Sequence, residues 1–596
     1  MTAASTATLG QLQTGLEAHR RGEFAEAERQ YRAVLAAAPE ALDAYNLLGR
    51  LLVQTSRAHE ASALLRRAID MVPDQPALWL SYAEALLAAG QTEAATSAAD
   101  TVQRLAPNDP DAQYIWAETQ RLGRNWDLAT KGYRRAIRLR PANPAAWLQL
   151  ASCLRELGEL AEAVKAAQEA LRLAPQAPEC HNNLANLLVA TGQHEAALQH
   201  FRQALQLRPH YPSALINMGA ALRELGRTAE AIPLLEQALV VSQGHPEAHA
   251  ALALARHNLG EMAAAIRSYR EALARRPEDA ETQWNYALAA LATGDFAPGW
   301  PAFAWRWRKA EPPLPRRQWP WPAWRHAGAQ DGQRLLLWGE QGLGDRLLFL
   351  QYLPDLLAQG ARVTLETDPR LIPLLRRSFP NIAFAEEGRE PAASLLDTAF
   401  DAQAALGDLP DRPPPGLAYL KADQNRAQGL RARYCGMSND RLIGLSWRSA
   451  NPKLGEGKSL RPADLAPLAA VADCRFICLQ YGATDAEHAA FRALFGERYI
   501  ADPAIDAQND LDALAAQIAA LDLTLTVSNV TAHLAGAQGR PVWVFAPAGK
   551  SLFFYLMAEG DGTPWYPSMR IFRSPAAGVW EVPVQAAIKR LESLAK

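Results

Sequence analysis

The chain has 596 residues, of which 49% are hydrophobic and 21% charged, a folded composition that excludes a disordered chain. Its 61 basic and 63 acidic side chains leave a formal charge of −2, so no general cationic field exists to hold a nucleic acid. Five cysteines, at 153, 180, 435, 474 and 478, are too scattered for a disulfide framework and fit a reducing compartment. The start, MTAASTATLGQLQTG, lacks the basic and apolar regions of a secretory signal, and no long apolar run offers a membrane span. The expectation is a cytoplasmic protein. By length it holds about four units, or a repeat array joined to one large domain.

Chain order begins with the array. Prolines stand at 39, 73, 107, 141, 175 and 209, each 34 residues after the last, and again at 277. Twelve residues before each comes a small residue, from Ala27 and Ala61 to Ala197 and Ala265. A second small position, Gly49, Ala83, Ala117, Ala151, Ala185, Gly219 and Ala253, marks where paired helices cross closely. A 34-residue helix–turn–helix period is the signature of tetratricopeptide repeats. Eight full repeats are expected over 8–277, a ninth from Gln283, and an all-α superhelix over 1–297.

One helix offset carries Gln149, Asn183, Asn217 and Asn285, with Asn182 and Asn186 nearby. Carboxamides both donate and accept, as a grip on an extended peptide backbone requires. The series resembles in part the asparagine ladder of O-GlcNAc transferase, which implies an acceptor-protein groove. The alternative is an ordinary solvated helix face, since Ala251 interrupts the series. Residues 298–330 follow as a junction rich in proline and tryptophan: Trp300, Trp305, Trp307, Trp319, Trp321 and Trp324. Tryptophan can stack on sugars, but here it is read as closing the array's end on a stiff connector.

The remainder alternates strands and helices. RLLLWGE, ARVTLET and IAFAE are expected strands of one half over 331–430. RLIGLSWRS, RFICLQYG, LTLTVSN and PVWVFAP are expected strands of another over 431–596, whose long final segment is open to crossing back to the first half. The expected fold class is therefore α + α/β, a tetratricopeptide superhelix followed by a GT-B type pair of Rossmann-like α/β domains, with ligands at the strands' carboxyl ends.

WGEQGLGD (338–345), GKSL (457–460) and SNVTAHLAGAQGRPVWVF (528–545) resemble, in that order, three motifs of heptosyltransferase-like glycosyltransferases. The whole layout is similar to bacterial flagellin glycosyltransferases. The resemblance implies an acceptor-side first half and a nucleotide-sugar-side second half. It implies no bound metal or cofactor, and a CMP-nonulosonic acid, pseudaminic or legionaminic, as co-substrate. It also implies flagellin as the protein partner recruited by the repeats, its Ser or Thr receiving the sugar.

By the motif match, Asp345 is the general base, with helix capping as its alternative. His533 is a second catalytic candidate, a donor to the departing phosphate. Gly342 and Gly344 let backbone approach a ligand. Arg448, Lys453 and Lys458 are phosphate candidates, with Ser528, Asn529 and Thr531 at a helix N-terminus. Ser528 and Asn529 stand where the family has Asp-Thr, and capping is their alternative. Glu340 and Gln341 are read as contacts to sugar or acceptor, or as solvated. Asp510 is read as a helix cap and not as half of a metal-binding Asp-x-Asp. Two other readings stay open: a transferase acting on lipopolysaccharide or another glycan, and a scaffold whose transferase domain has decayed.

Overall fold

The computed structural model describes residues 3–312, 317, 319–324, 331–340, 342–388, 393–396, 398–449, 456–547, 554–576 and 578–593. They form two compact units, Met1–Ser242 and Gln243–Lys596. No described helix is long and apolar enough to cross a membrane.

The first unit is built of helix pairs. α1 (Ala3–Arg20) packs on α2 (Phe24–Ala37), α3 (Leu42–Gln54) on α4 (Ala58–Met71), and α5 (Pro76–Ala88) on α6 (Thr92–Leu105). α7 (Pro110–Leu122) then packs on α8 (Trp126–Leu139), α9 (Pro144–Glu156) on α10 (Leu160–Leu173), α11 (Pro178–Ala190) on α12 (His194–Leu207), and α13 (Pro212–Glu224) on α14 (Thr228–Val241). A second proline series, which the sequence reading did not use, starts helices at Pro76, Pro110, Pro144, Pro178 and Pro212. There the missing N–H costs nothing and φ is already helical.

The first proline series has its own partner. The side chain six residues on bonds the proline carbonyl: Trp79 to Pro73 at 2.6 Å, Gln113 to Pro107 at 3.0 Å, Trp147 to Pro141 at 3.0 Å and His181 to Pro175 at 3.1 Å. Gln283 repeats the bond to Pro277 in the second unit at 2.8 Å. The crossing positions are as tight as their small residues imply. A Cβ on Gly49 would stand 2.7 Å from Leu65, and one on Gly219 would stand 2.8 Å from Leu235.

The repeats expected to 297 run across the division between the two compact units. Helix pairs continue through α15 (Pro246–Asn258) with α16 (Met262–Arg275), and α17 (Ala280–Ala292) with α18 (Phe296–Phe303), but these belong to the second compact unit. The division falls where the proline series lapses. Gln243 and Gly244 stand there with φ of 53° and 80°, left-handed backbone that proline cannot adopt.

Two parallel sheets follow. The first holds β1 (Arg334–Trp338), β2 (Arg362–Thr367), β3 (Ala383–Glu386) and β4 (Ala402–Ala405), in the order β3-β2-β1-β4. The second holds β5 (Arg441–Ser446), β6 (Cys474–Cys478), β7 (Tyr499–Ile500), β8 (Leu523–Val527), β9 (Val542–Ala546) and β10 (Met569–Arg573). Its order, β10-β9-β8-β5-β6-β7, is the Rossmann order with its switch point between β5 and β8. Sequence reading missed β4, β7 and β10. AQAA has no β-branched residue, and β7 is two residues long.

Helices α19 (Leu343–Phe349), α20 (Leu353–Ala358), α21 (Ile372–Ser378) and α22 (Ala393–Leu396) belong to the first half. α23 (Gln424–Cys435), α24 (Asp485–Phe495), α25 (Leu511–Ala519), α26 (Val530–Ala537) and α27 (Glu581–Ser593) belong to the second. The expected helix after β1 is broken into α19, a 3-10 turn and α20, with Pro354 in the first turn of α20. ADLAPLAAV, helical by its apolar content, forms a 3-10 segment, Pro462–Ala470, with Pro467 inside it.

The crossing back between halves is made by residues 554–566. Phe554 and Trp565 pack on Phe349 and Tyr352, whereas α27 stays on β9 and β10. The junction tryptophans are structural. Trp300 is buried among Phe303, Phe349, Phe554 and Trp565. Trp319 and Trp321 pack on each other, with Trp321 edge-on to Phe400. Backbone of 322–324 bonds Gln403 on both sides, at 2.9 and 2.8 Å, covering the β4 edge.

Two glycine substitutions should act in opposite directions. Gly49→Ala forces Leu65 aside and should cost about 1–3 kcal/mol. Gly429→Ala in α23 meets no atom within 4 Å and should gain about 0.5–1 kcal/mol of helix propensity. Urea denaturation followed by circular dichroism checks both signs.

Candidate functional site

The switch point of the second sheet is bridged by one side chain. Asn529 follows β8 and caps α26, its Oδ1 accepting from the N–H of Thr531 at 3.0 Å and of Ala532 at 3.4 Å. Its Nδ2 donates across the crevice to Ser446 Oγ at 2.8 Å and to the Arg448 carbonyl at 3.3 Å. Asn529 is therefore a cap and a strap, not a phosphate donor, and an aspartate could not make the Nδ2 bonds. Ser528 is buried with its Oγ 2.7 Å from the Tyr555 hydroxyl. Thr531 is buried with its hydroxyl unpartnered.

Arg448 is corrected as well. It turns away from the loop to Glu487, at 2.9 and 3.1 Å, and to the Gly482 carbonyl. Against the cost of burial, Arg448, the Thr484 N–H and Trp447 hold the Glu487 carboxyl down to about 2. Gln480 Oε1 gathers the backbone N–H groups of Trp447 and Arg448 at 3.0 and 2.9 Å, which fixes the chain leaving β5. Lys453 and Gln341 lie outside the described residues.

Three expected residues do meet. Asp345 lies in the first turn of α19, its carboxylate accepting from its own N–H and from that of the N-cap Gly342. Burial pushes its pKa up to about 6, against the pull of the Lys458 and Arg346 charges. Burial lowers Lys458 to about 8, with the Asp345 charge opposing. His533, in α26, is pushed down to about 3 by burial and then by the Lys458 charge, so its imidazole is neutral near pH 7. Its Nδ1 lies 3.1 Å from the Tyr566 hydroxyl, and its ring packs 4.4 Å from that of Tyr555.

Glycines permit this meeting. A Cβ on Gly344 would stand 2.8 Å from the His533 ring, and one on Gly536 would stand 2.5 Å from Tyr566. Gly344 thus serves the contact of α19 with α26 and not the approach of a ligand, a further correction. Gly342 is exposed, with only Asp345 near its missing Cβ, at 3.7 Å.

The switch point of the first sheet, between β1 and β4, is filled by an arginine the sequence reading passed over. Arg306 follows α18 and is 1% exposed. It bonds both oxygens of Glu340 at 3.0 Å and Asp408 at 2.5 Å, with its guanidinium 4.6 Å from the Phe303 and Trp307 rings. Glu340 is therefore a buried ion-pair partner, neither a sugar contact nor solvated. Burial still pushes its carboxyl up to about 7, with Arg306 opposing and the Asp408 and Asp345 charges adding. A Cβ on Gly407 would stand 1.8 Å from the Glu340 carboxylate, so any other residue there would push that carboxylate off Arg306. Arg306 sits in the tryptophan-rich AWRWR, whose aromatic content masked the one charge that matters.

Beside the second sheet's carboxyl edge lies a cavity of about 420 Å³, lined by Gln480, Tyr481, Gly482, Asp502 and Gln517 among others. Gln517 is buried with its Oε1 unpartnered. Asp510 caps α25 through the Ala513 N–H at 2.8 Å, as expected.

In the repeats, Asn182 is corrected. It is 4% exposed and spent between helices, accepting from Asn217 at 3.2 Å and donating to Asn183 at 3.4 Å. Gln149, Asn183, Asn186 and Asn217 are half-buried in the first unit, and Asn285 is half-buried in the second.

Tetratricopeptide-repeat family models match residues 12–61, 52–118, 143–210, 188–255 and 250–297. Protein FlbA of Caulobacter vibrioides is 34% identical over 328 residues, 51% of this chain and 54% of that protein. The chain thus spans about half the length of that relative. Among solved structures it is similar to the Cut9–Hcn1 hetero-tetramer of the APC/C, with TM-score 0.40 and 22% identity over 47% of this chain and 55% of that one. It is also similar to the Thermus thermophilus repeat protein TTC0263, with TM-score 0.29 and 24% identity over 30% of this chain and 99% of that one. YrrB, described as a repeat protein with an unusual peptide-binding site, gives TM-score 0.27 and 20% identity over 31% of this chain and 95% of that one.

Asp345 should leave a mark on stability. Its folded pKa of about 6 lies above the ordinary 3.8, so between those values the folded chain holds the extra proton. Stability from this group is full below about 4 and is lost as pH rises through 6. Melting temperature should fall less between pH 4 and 6 in Asp345→Asn than in the wild type, the remaining fall coming from the raised Glu340 and Glu366 carboxyls. Arg306→Ala strands a buried carboxylate and should cost about 3–5 kcal/mol, part of which Glu340→Gln in the same chain should restore, read by denaturant titration.

Proposed function

We propose that the α/β region is a glycosyltransferase of GT-B type that moves a sugar from a nucleotide-activated donor to a Ser or Thr hydroxyl of a protein held by the repeats. Flagellin as acceptor and a nonulosonic acid as sugar are the substrates the family resemblance implies. The observation that carries the proposal is the convergence of Asp345, Lys458 and His533, from three distant stretches, with pKa values of about 6, 8 and 3. A carboxylate poised near neutrality beside a buried ammonium is the pairing that acid–base work on a phosphate ester needs.

The steps follow from those charges. Asp345 takes the proton of the acceptor hydroxyl. That oxygen forms its bond to the anomeric carbon as the bond from carbon to the phosphate oxygen breaks. The electron pair leaves on the phosphate, where the Lys458 ammonium meets the developing negative charge. Neutral His533 holds the wall of this site and offers at most one N–H to it. The cavity beside Gln517 has the volume for a nucleoside, and the unpartnered Gln517 Oε1 is an acceptor for one.

A second reading, a repeat scaffold without transfer, is favoured by one feature. Arg448 and Asn529, both phosphate candidates, are committed to internal bonds.

Purified protein, flagellin and a CMP-nonulosonate, followed by intact-mass spectrometry, separate the readings. Transfer predicts a mass gain of whole sugars on the acceptor, reduced by about 10²–10⁴ in rate in Asp345→Asn. Donor hydrolysis should rise through pH 6 as Asp345 ionises and fall above pH 8 as Lys458 loses its proton. Flagellin binding without donor binding or mass gain would leave the scaffold.

A further inference from the structure

The first unit carries a surface whose ligand chemistry is independent of anything at Asp345. Helices α8, α9 and α10 enclose a groove of about 440 Å³. Its floor is apolar: Ile137, Leu150 and Leu154 are buried, and Trp147 forms a half-buried wall. The Trp147 ring is held in place by its bond to the Pro141 carbonyl. This volume holds one or two large side chains.

The rim is cationic. Arg134 is matched by Glu162 at 2.5 Å, and Glu169 by Arg172 at 2.8 Å. That leaves Arg138 and Lys165, exposed on opposite sides of the groove, with no acidic partner among the described residues. Lys131 and Arg135 extend the same face of α8, one and two helical turns before Arg138 in reverse order. In a chain of net charge −2, this helix gathers unmatched cations around an apolar floor.

We propose that this groove docks an acidic peptide segment, one large apolar side chain entering the floor while flanking carboxylates meet Arg138 and Lys165. A phosphodiester backbone fits poorly, because it has no large apolar side chain to fill the floor formed by Ile137, Leu150 and Leu154. A concave apolar floor likewise suits an inserted side chain better than the flat face of a lipid headgroup layer.

Selection of a displayed random-peptide library on the full chain, counter-selected with the Arg138→Glu/Lys165→Glu double variant, tests this. Both side chains are exposed, and circular dichroism checks that the double variant is folded. The expected consensus places Asp or Glu around a Trp, Phe or Leu. A fluorescein-labelled consensus peptide should bind about tenfold or more weakly to the double variant, and normally to Arg104→Glu on α6. Replacing its apolar residue by Gly should weaken it by a similar factor, about tenfold. The proposal is overturned if no selected peptide depends on the two cations, or if the Gly peptide binds as well. It is also overturned if a short single-stranded oligonucleotide or phosphatidylserine vesicles compete as strongly as the peptide, which would mark a general anion patch.

Discussion

A buried guanidinium organises the second unit. Arg306, from the turn after the last repeat helix, occupies the crevice between β1 and β4, where an open parallel sheet ordinarily offers space to a ligand. Removing the Glu340 carboxylate and the guanidinium from water is expensive, and the bidentate contact between them, with the bond to half-buried Asp408, offsets that cost only while all three stay in place. The loop after β1 and the turn after β4 are therefore set by a residue of the repeat array. This explains why residues 243–303, repeats by sequence, are compact with the α/β region.

The second sheet closes its crevice differently, with a neutral strap from Asn529 to Ser446. With both switch points bridged, Asp345 and His533 stand where α19 meets α26. Gly344 lets the two helices approach until the His533 ring fills the missing Cβ, and Gly536 does the same for Tyr566. Close approach excludes water, and exclusion of water sets the titration. The same burial raises Asp345 and lowers Lys458 and His533, because it penalises whichever form is charged. The carboxyl and the ammonium are thus drawn together in pKa.

The repeats show the opposite economy. Each bond between a side chain and its proline carbonyl is local and recurs every 34 residues, so the array is a sum of near-neighbour contacts. Variation between repeats is then free to carry recognition, and the unmatched cations of α8 and α10 are one such departure. The Asn182–Asn217 bond shows the limit of this freedom, since a carboxamide turned between helices serves packing and not a ligand.

The sequence by itself determined the repeat period, the tight crossings at Gly49 and Gly219, and the parallel α/β pattern. All of these rest on local periodicity or on motifs that keep their order along the chain. The tertiary structure alone decided where the compact units divide and how the neighbouring polar groups are spent. It turned Arg448 to Glu487, made Asn529 a strap, buried Asn182, and placed Arg306 against Glu340 across 34 residues of chain. It also formed the strand AQAA at β4, which has no propensity of its own. The physical reason is common to these cases. The partner of a charged or amide side chain is chosen by long-range packing, and one sequence position carries no record of which group desolvation will bring to it.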